Sequence, residues 1–176
     1  IGSDLPSSFF YLSLSNTVGG AIFHDGNLLP GDAFRCGEAG HMTLIPDGKP
    51  CYCGKTGCVD AYCSARVLSD LSGGRLEDFF LGLQQNNREY RPVWDTYLKH
   101  LAVVINNLHM ILDYDIVLGG YVGSFLTPWL DTIRHLVAER NTFEDDGSFV
   151  KLCTYQTGAA AYGAAMDVME EFLRTV

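Results

Sequence analysis

The chain has 176 residues, 47% of them apolar, enough for a substantial core. Its formal charge of −9 repels phosphate backbones and argues against direct nucleic-acid binding by this segment. No apolar run reaches bilayer length, and the opening IGSDLPSS lacks the basic flank and apolar segment of a secretory signal, so the expected setting is the cytoplasm, with no membrane partner.

Residues 9–15 (FFYLSLS) and 18–23 (VGGAIF) are rich in aromatic and β-branched side chains and read as strands. His24-Asp25-Gly26-Asn27 is a hairpin turn signal, and Leu28 and Leu29 begin a return strand. The chain therefore opens as if in mid-fold. Residues 30–40 are irregular. Short helices are expected over 62–71 and 75–84, separated by Ser72-Gly73-Gly74. A long helix follows Pro92, with Trp94, Tyr97, Leu98, Leu101, Val104, Ile105, Leu108, Ile111 and Leu112 at the spacing of a buried stripe. Residues 115–118 (DIVL) read as a buried strand closed by Gly119-Gly120. A helix over 128–140, a strand over 149–155 and a closing helix over 157–173 complete the pattern. The alternation from residue 92 onward predicts a parallel sheet covered on both faces by helices.

The most informative stretch is 41–60, HMTLIPDGKPCYCGKTGCVD. Cys51, Cys53 and Cys58 fall within eight residues, with His41 ten positions before the first. Gly48, Pro50, Gly54 and Gly57 are interleaved, and neither helical nor strand periodicity is present. Three thiolates and an imidazole are the donor set of a tetrahedral zinc, and four protein ligands leave no open position, so the zinc is expected to be structural. Three disulfides are the competing use of six cysteines. The chain is large enough not to need staples, however, and the cysteines are clustered; Cys36, Cys63 and Cys153 read as isolated thiols.

Glu38 and Asp60 flank this loop. Carboxylates and an imidazole can grip sugar hydroxyls, although the spacing fits solvated loop charges equally well. Gly119-Gly120 after a buried strand is where open α/β sheets bind nucleotides, and also a simple tight turn. His24, His100, His109 and His135 read as surface or packing residues. Gly54-Lys55-Thr56 lacks the upstream glycine and strand of a phosphate loop, and there is no nucleophile elbow.

Glu38-x-Gly40-His41 followed by Cys51-x-Cys53-Gly54-x-x-Gly57-Cys58-x-Asp60 resembles the signature of the ROK family (repressor, open reading frame, kinase). VGGAIFHDGNLLPG, DIVLGGYVG and GAAAYGAA resemble further family segments, so the likeness covers nearly the whole chain. The resemblance implies an actin-like (ribonuclease H-like) α/β fold. It implies that residues 1–176 form the second, C-terminal domain of a two-domain protein, a mixed sheet flanked by helices with a zinc-binding loop. It implies zinc ligands His41, Cys51, Cys53 and Cys58, sugar contacts from Glu38, His41 and Asp60, and a nucleotide region at Thr17, Gly119 and Gly120. No catalytic base is expected in this segment, since the family carries it in the other domain.

Two positions depart from the family's kinases. Ser15-Asn16-Thr17 stands where they usually carry Gly-Thr-Gly, and Asp60 where they usually carry Glu. These departures motivate the expectation of a sugar-sensing effector domain of a ROK-type transcriptional regulator, whose DNA contact lies in a preceding domain. The alternative is the C-terminal half of an ATP- and magnesium-dependent sugar kinase, and a third reading is a zinc-stabilised dimerisation module. The apolar face of the closing helix, Ala161, Ala164, Ala165, Val168, Met169 and Phe172, is expected to pair with a second copy in a homodimer.

Overall fold

Alternation in the first strand sets the architecture. In β1 (Phe9–Leu14), Phe10, Leu12 and Leu14 face the main core, while Phe9 and Tyr11 face the other side. The computed structural model describes residues 6–155 and, beyond them, residues 158, 161, 163, 165, 169 and 172. β1 pairs antiparallel with β2 (Val18–His24), which turns through Asp25 and Gly26, both at positive φ, into β3 (Asn27–Leu29). On its other edge β1 pairs in parallel with β4 (Asp115–Gly119), and β4 with β5 (Val150–Leu152). The result is a five-stranded mixed sheet in the order β3-β2-β1-β4-β5.

Helices α1 (Asp60–Cys63), α2 (Arg66–Ser69) and α3 (Leu76–Gln84) lead to the long α4 (Tyr90–Leu112). The short α5 (Gly120–Gly123) caps β4, and α6 (Leu130–Ala138) packs beside α4. The α4 stripe is buried as predicted from Trp94 to Leu108. Trp94 is its hub: it stacks on Tyr97 at 5.3 Å and takes Phe80 and Trp129 edge-on at 5.2 and 5.4 Å. Among the described residues, the second sheet face carries a smaller cluster of Phe9, Val117 and Cys153.

Five expectations change. The helix predicted over 62–71 is two pieces, broken at Ser64, because outside partners take the backbone groups there: the Tyr97 hydroxyl donates to the Cys63 carbonyl at 2.6 Å, and the Ala65 N–H donates to the Ser15 carbonyl at 2.7 Å. α4 starts two residues before Pro92; its first turn tolerates the proline because N–H groups there have no helical partner. Ile111 is 76% exposed. Seven residues beyond the buried Val104 is a net rotation of about 20°, so Ile111 stands at the edge of the stripe, in the last turn of α4. The helix predicted over 128–140 is preceded by a 3-10 turn (Thr127–Trp129), and the strand predicted over 149–155 shortens to the three residues that β4 can pair. The closing helix is described only in part. Positions 161, 165, 169 and 172 are helical and exposed, whereas Ala164 and Val168 lie outside the described residues.

The face assignment of α4 is checked by urea unfolding. Trp94→Ala should lower the unfolding free energy by about 3–5 kcal/mol. Ile111→Ala should change it by less than about 0.5 kcal/mol; comparable losses would place Ile111 in the core after all.

Candidate functional site

The loop between Met42 and Val59 folds back on itself as a small antiparallel ladder. Val59 N–H donates to Met42 carbonyl at 2.9 Å, Leu44 N–H to Gly57 carbonyl at 2.7 Å, and Gly57 N–H to Lys49 carbonyl at 2.8 Å. Two isolated bridges, Thr43 with Cys58 and Pro50 with Thr56, close it. The Tyr62 hydroxyl accepts the Lys49 N–H at 2.6 Å and anchors the loop on α1. Sequence periodicity misses this ladder because each rung is only a residue or two long.

The ladder brings His41, Cys51, Cys53 and Cys58 together. One ligand atom from each lies within 4.8 Å of the others. Cys51 and Cys58 are buried, Cys53 and His41 exposed. The Cys53 and Cys58 sulfurs are 3.8 Å apart. Two sulfurs on a tetrahedral zinc with bonds of about 2.3 Å sit about 3.8 Å apart, whereas a disulfide needs about 2.05 Å. All six cysteines are unpaired. Burial, reinforced by the neighbouring sulfurs, pushes the Cys58 thiol up to about 11, while hydrogen bonding at Lys55 lowers Cys53. Without a cation the pocket holds a second negative sulfur poorly; a divalent ion inverts that preference. The donor set, the sulfur separation and this electrostatic demand all fit zinc.

Around the knot stand the three residues implicated in sugar contact. Glu38 precedes the 3-10 turn (Ala39–His41) and is exposed. Gly40 in that turn is required: a Cβ there would run into the Val18 carbonyl. His41 presents Nε2 to the Tyr52 hydroxyl at 3.1 Å, with the rings edge to face at 5.4 Å. Asp60 differs from the expectation of a solvated loop charge. It is 6% exposed, and its Oδ1 accepts the Val18 N–H at 2.6 Å. One carboxylate oxygen is therefore committed to β2.

Tyr52 was missed in the sequence. Tyr52 is largely exposed, and its hydroxyl pKa is raised by partial desolvation first, then by the negative groups Asp60, Cys51, Glu38 and Cys53. The available signal was an aromatic residue between two ligand cysteines.

A second set of expected residues meets at the carboxyl ends of the parallel strands. Ser13 of β1 is in register with Gly119 of β4, which places the Ser15–Thr17 turn beside Gly119-Gly120. Gly120 is at φ +78, and a Cβ there would meet the Ser15 hydroxyl at 2.6 Å. The Ser15 hydroxyl accepts the Tyr121 N–H at 3.4 Å and lies 3.3 Å from that of Ser13. Beside this turn opens a cleft of about 530 Å³ lined by Asn16, Ser69, Leu76, Glu77, Tyr121 and Phe125, among others. Thr17 is exposed and does not line it; its neighbour Asn16 does. Open α/β sheets bind ligands at this end of the strands.

The ROK family model matches residues 3–171, and the chain belongs to the ROK family. An N-acetylmannosamine kinase of Escherichia coli O7:K1 (strain IAI39 / ExPEC) is 30% identical over 170 residues, covering 93% of this chain and 57% of the relative. One from Salmonella typhi is 29% identical over 164 residues, covering 89% and 55%. The chain thus spans somewhat more than half the length of these curated relatives. Among solved structures, a ROK hexokinase from Thermus thermophilus superposes with a TM-score of 0.78 at 22% identity, over 92% of this chain and 57% of that one. A ROK family glucokinase from Streptomyces griseus, in complex with glucose and AMPPNP, gives 0.74 at 20% identity, over 90% and 59%. A ROK family transcriptional regulator, a homolog of the E. coli MLC protein, gives 0.67 at 21% identity, over 84% and 41%. These likenesses establish the fold, which is actin-like as expected. By sequence the chain is sugar-kinase-like. Among the described residues no helix is long and apolar enough to cross a membrane.

Elemental analysis of protein purified without chelators should find about one zinc per chain. Cys58→Ser should reduce that to below about half an equivalent. Unchanged zinc in this variant would remove Cys58 from the ligand set.

Proposed function

We propose that this chain is the sugar-binding half of the cleft of a ROK sugar kinase, which transfers the γ-phosphoryl group of ATP to a hexose or N-acylhexosamine. What supports the reading is that Glu38, at the start of the His41 turn, and Asp60, two residues after Cys58, flank the cluster of His41, Cys51, Cys53 and Cys58, in a chain whose sequence relatives include N-acetylmannosamine kinases. A zinc with three sulfurs and one nitrogen holds the loop rigid and takes no part in the chemistry. Glu38 accepts hydrogen bonds from sugar hydroxyls. The free oxygen of Asp60 does the same. His41 offers one imidazole nitrogen to the ion and the other to a hydroxyl, the role in which Tyr52 now engages Nε2. The nucleotide lies beside Gly119 and Gly120, with magnesium required for its phosphates. The chain contributes no catalytic base; that group belongs to the other half of the cleft, and residues 1–176 act as the C-terminal half. The unpaired cysteines fit a reducing cytoplasm.

A specific observation supports a second reading, the sugar-sensing regulator. The turn that faces phosphate in the family's kinases is filled here by the Ser15 side chain, which already engages the Tyr121 N–H. Backbone N–H groups taken in this way do not cradle phosphate. In this reading sugar binding shifts the domain equilibrium, DNA contact comes from a domain outside this chain, and the protein acts as a homodimer.

Calorimetric titration with N-acetylmannosamine and glucose, on protein spanning the full length of its relatives, tests the shared part. One sugar should bind, and Glu38→Ala should weaken it at least about tenfold, the loss expected for a charge-assisted hydrogen bond. Undiminished binding would sink the sugar site. Coupled-assay turnover of ATP with the bound sugar selects the kinase; tight sugar binding without turnover selects the regulator.

A further inference from the structure

At the amino end of β4, three residues converge that neither functional reading uses. His109 and Asp113 are four positions apart across the C-terminus of α4 and so share a face. Asp113 sits in the left-handed conformation that ends the helix, its N–H donating to the His109 carbonyl at 2.7 Å. Glu144 comes from the loop between α6 and β5. Asn141 shapes that loop by accepting the N–H groups of Phe143 and Glu144 at 2.7 and 2.9 Å. One ligand atom from each of His109, Asp113 and Glu144 lies within 4.8 Å of the others.

The imidazole decides what belongs between them. His109 is 7% exposed and lies flat against Phe149, with ring centroids 3.6 Å apart. Its Nδ1 faces the Tyr114 carbonyl at 2.8 Å. A carbonyl only accepts, so Nδ1 carries a proton. In the neutral ring Nε2 is then a bare lone pair, and it is aimed at the Glu144 carboxylate at 3.3 Å. Glu144 is only partly buried, and either a proton on Nε2 or a metal ion is the cation that joins these two acceptors. Among the described residues, neither Asp113 nor Glu144 forms an ion pair with a lysine or arginine. Lys151 interacts with Asp115 instead.

We propose that His109, Asp113 and Glu144 form a second, oxygen-rich metal site that takes a divalent cation of the manganese or zinc class. One imidazole with two carboxylates is a donor set for such ions, and the Nδ1–H bonded to a backbone carbonyl is the support a ligating histidine usually has. Two carboxylate charges balance a divalent ion. The exposure of Asp113 leaves a path for entry and room for water to complete the coordination. The ion joins the end of α4 to the loop before β5, so its role is to fix the amino ends of the parallel strands. The site is distinct from the sulfur-rich knot in place and in the softness of its donors.

Manganese alone is the probe, since it avoids thiolates. Titration followed by electron paramagnetic resonance should show about one bound ion per chain, with Glu144→Gln and Asp113→Asn each weakening it at least about tenfold. Cys58→Ser should leave it unchanged. Both acidic variants alter groups that are at least partly exposed, so they keep the test open even if His109→Gln fails to fold. Absence of bound manganese at millimolar ion, or an affinity in either acidic variant equal to that of the unaltered protein, overturns the site. So does a nuclear magnetic resonance spectrum in which both His109 nitrogens stay protonated under saturating metal, because a proton would then be the cation between the acceptors.

Discussion

The hydrogen bond from the Val18 N–H to the Asp60 carboxylate joins two parts of the molecule that the chain brings together from 42 residues apart. It is buried and charge-assisted, the strong kind. Next to it the Ala65 N–H donates to the Ser15 carbonyl at 2.7 Å, and Gly40 lets its turn lie against the Val18 carbonyl. Three contacts thus converge on residues 15–18. The cysteine loop, the first short helix and the turn between β1 and β2 have no freedom to move independently. An ion that stiffens the knot therefore also stiffens the turn between β1 and β2.

The two positions singled out in the sequence as departures from the family's kinases meet in the fold. In the sequence, Asp60 and Ser15-Asn16-Thr17 stand far apart and read as separate changes, one affecting sugar and one affecting phosphate. In the fold, Asp60 holds the residue immediately after Thr17. Any sugar contact by Asp60 falls to its second oxygen.

Much of this was legible because it rests on local periodicity or on reactive side chains. Aromatic and β-branched composition gave β1 and β2, the three-and-four spacing gave α4 from Trp94 to Leu108, and four metal-ligating side chains in one loop announced the knot. What escaped was set by tertiary partners. The break at Ser64 exists because Tyr97 and Ser15 take the backbone groups that a continuous helix would use. Asp60 looked like a loop charge because nothing local shows that a strand N–H will reach it. Tyr52 had no pattern to join, and His109 read as packing because its partners, Tyr114 and Glu144, come from a turn and a distant loop.

The central claim is that a closed metal knot fixes the sugar-facing residues. X-ray absorption at the zinc edge of the purified protein tests it most directly. The account predicts a shell of three sulfurs at about 2.3 Å and one nitrogen at about 2.0–2.1 Å. A shell of oxygen and nitrogen alone, or zinc-free protein with a Cys53–Cys58 disulfide, would contradict it.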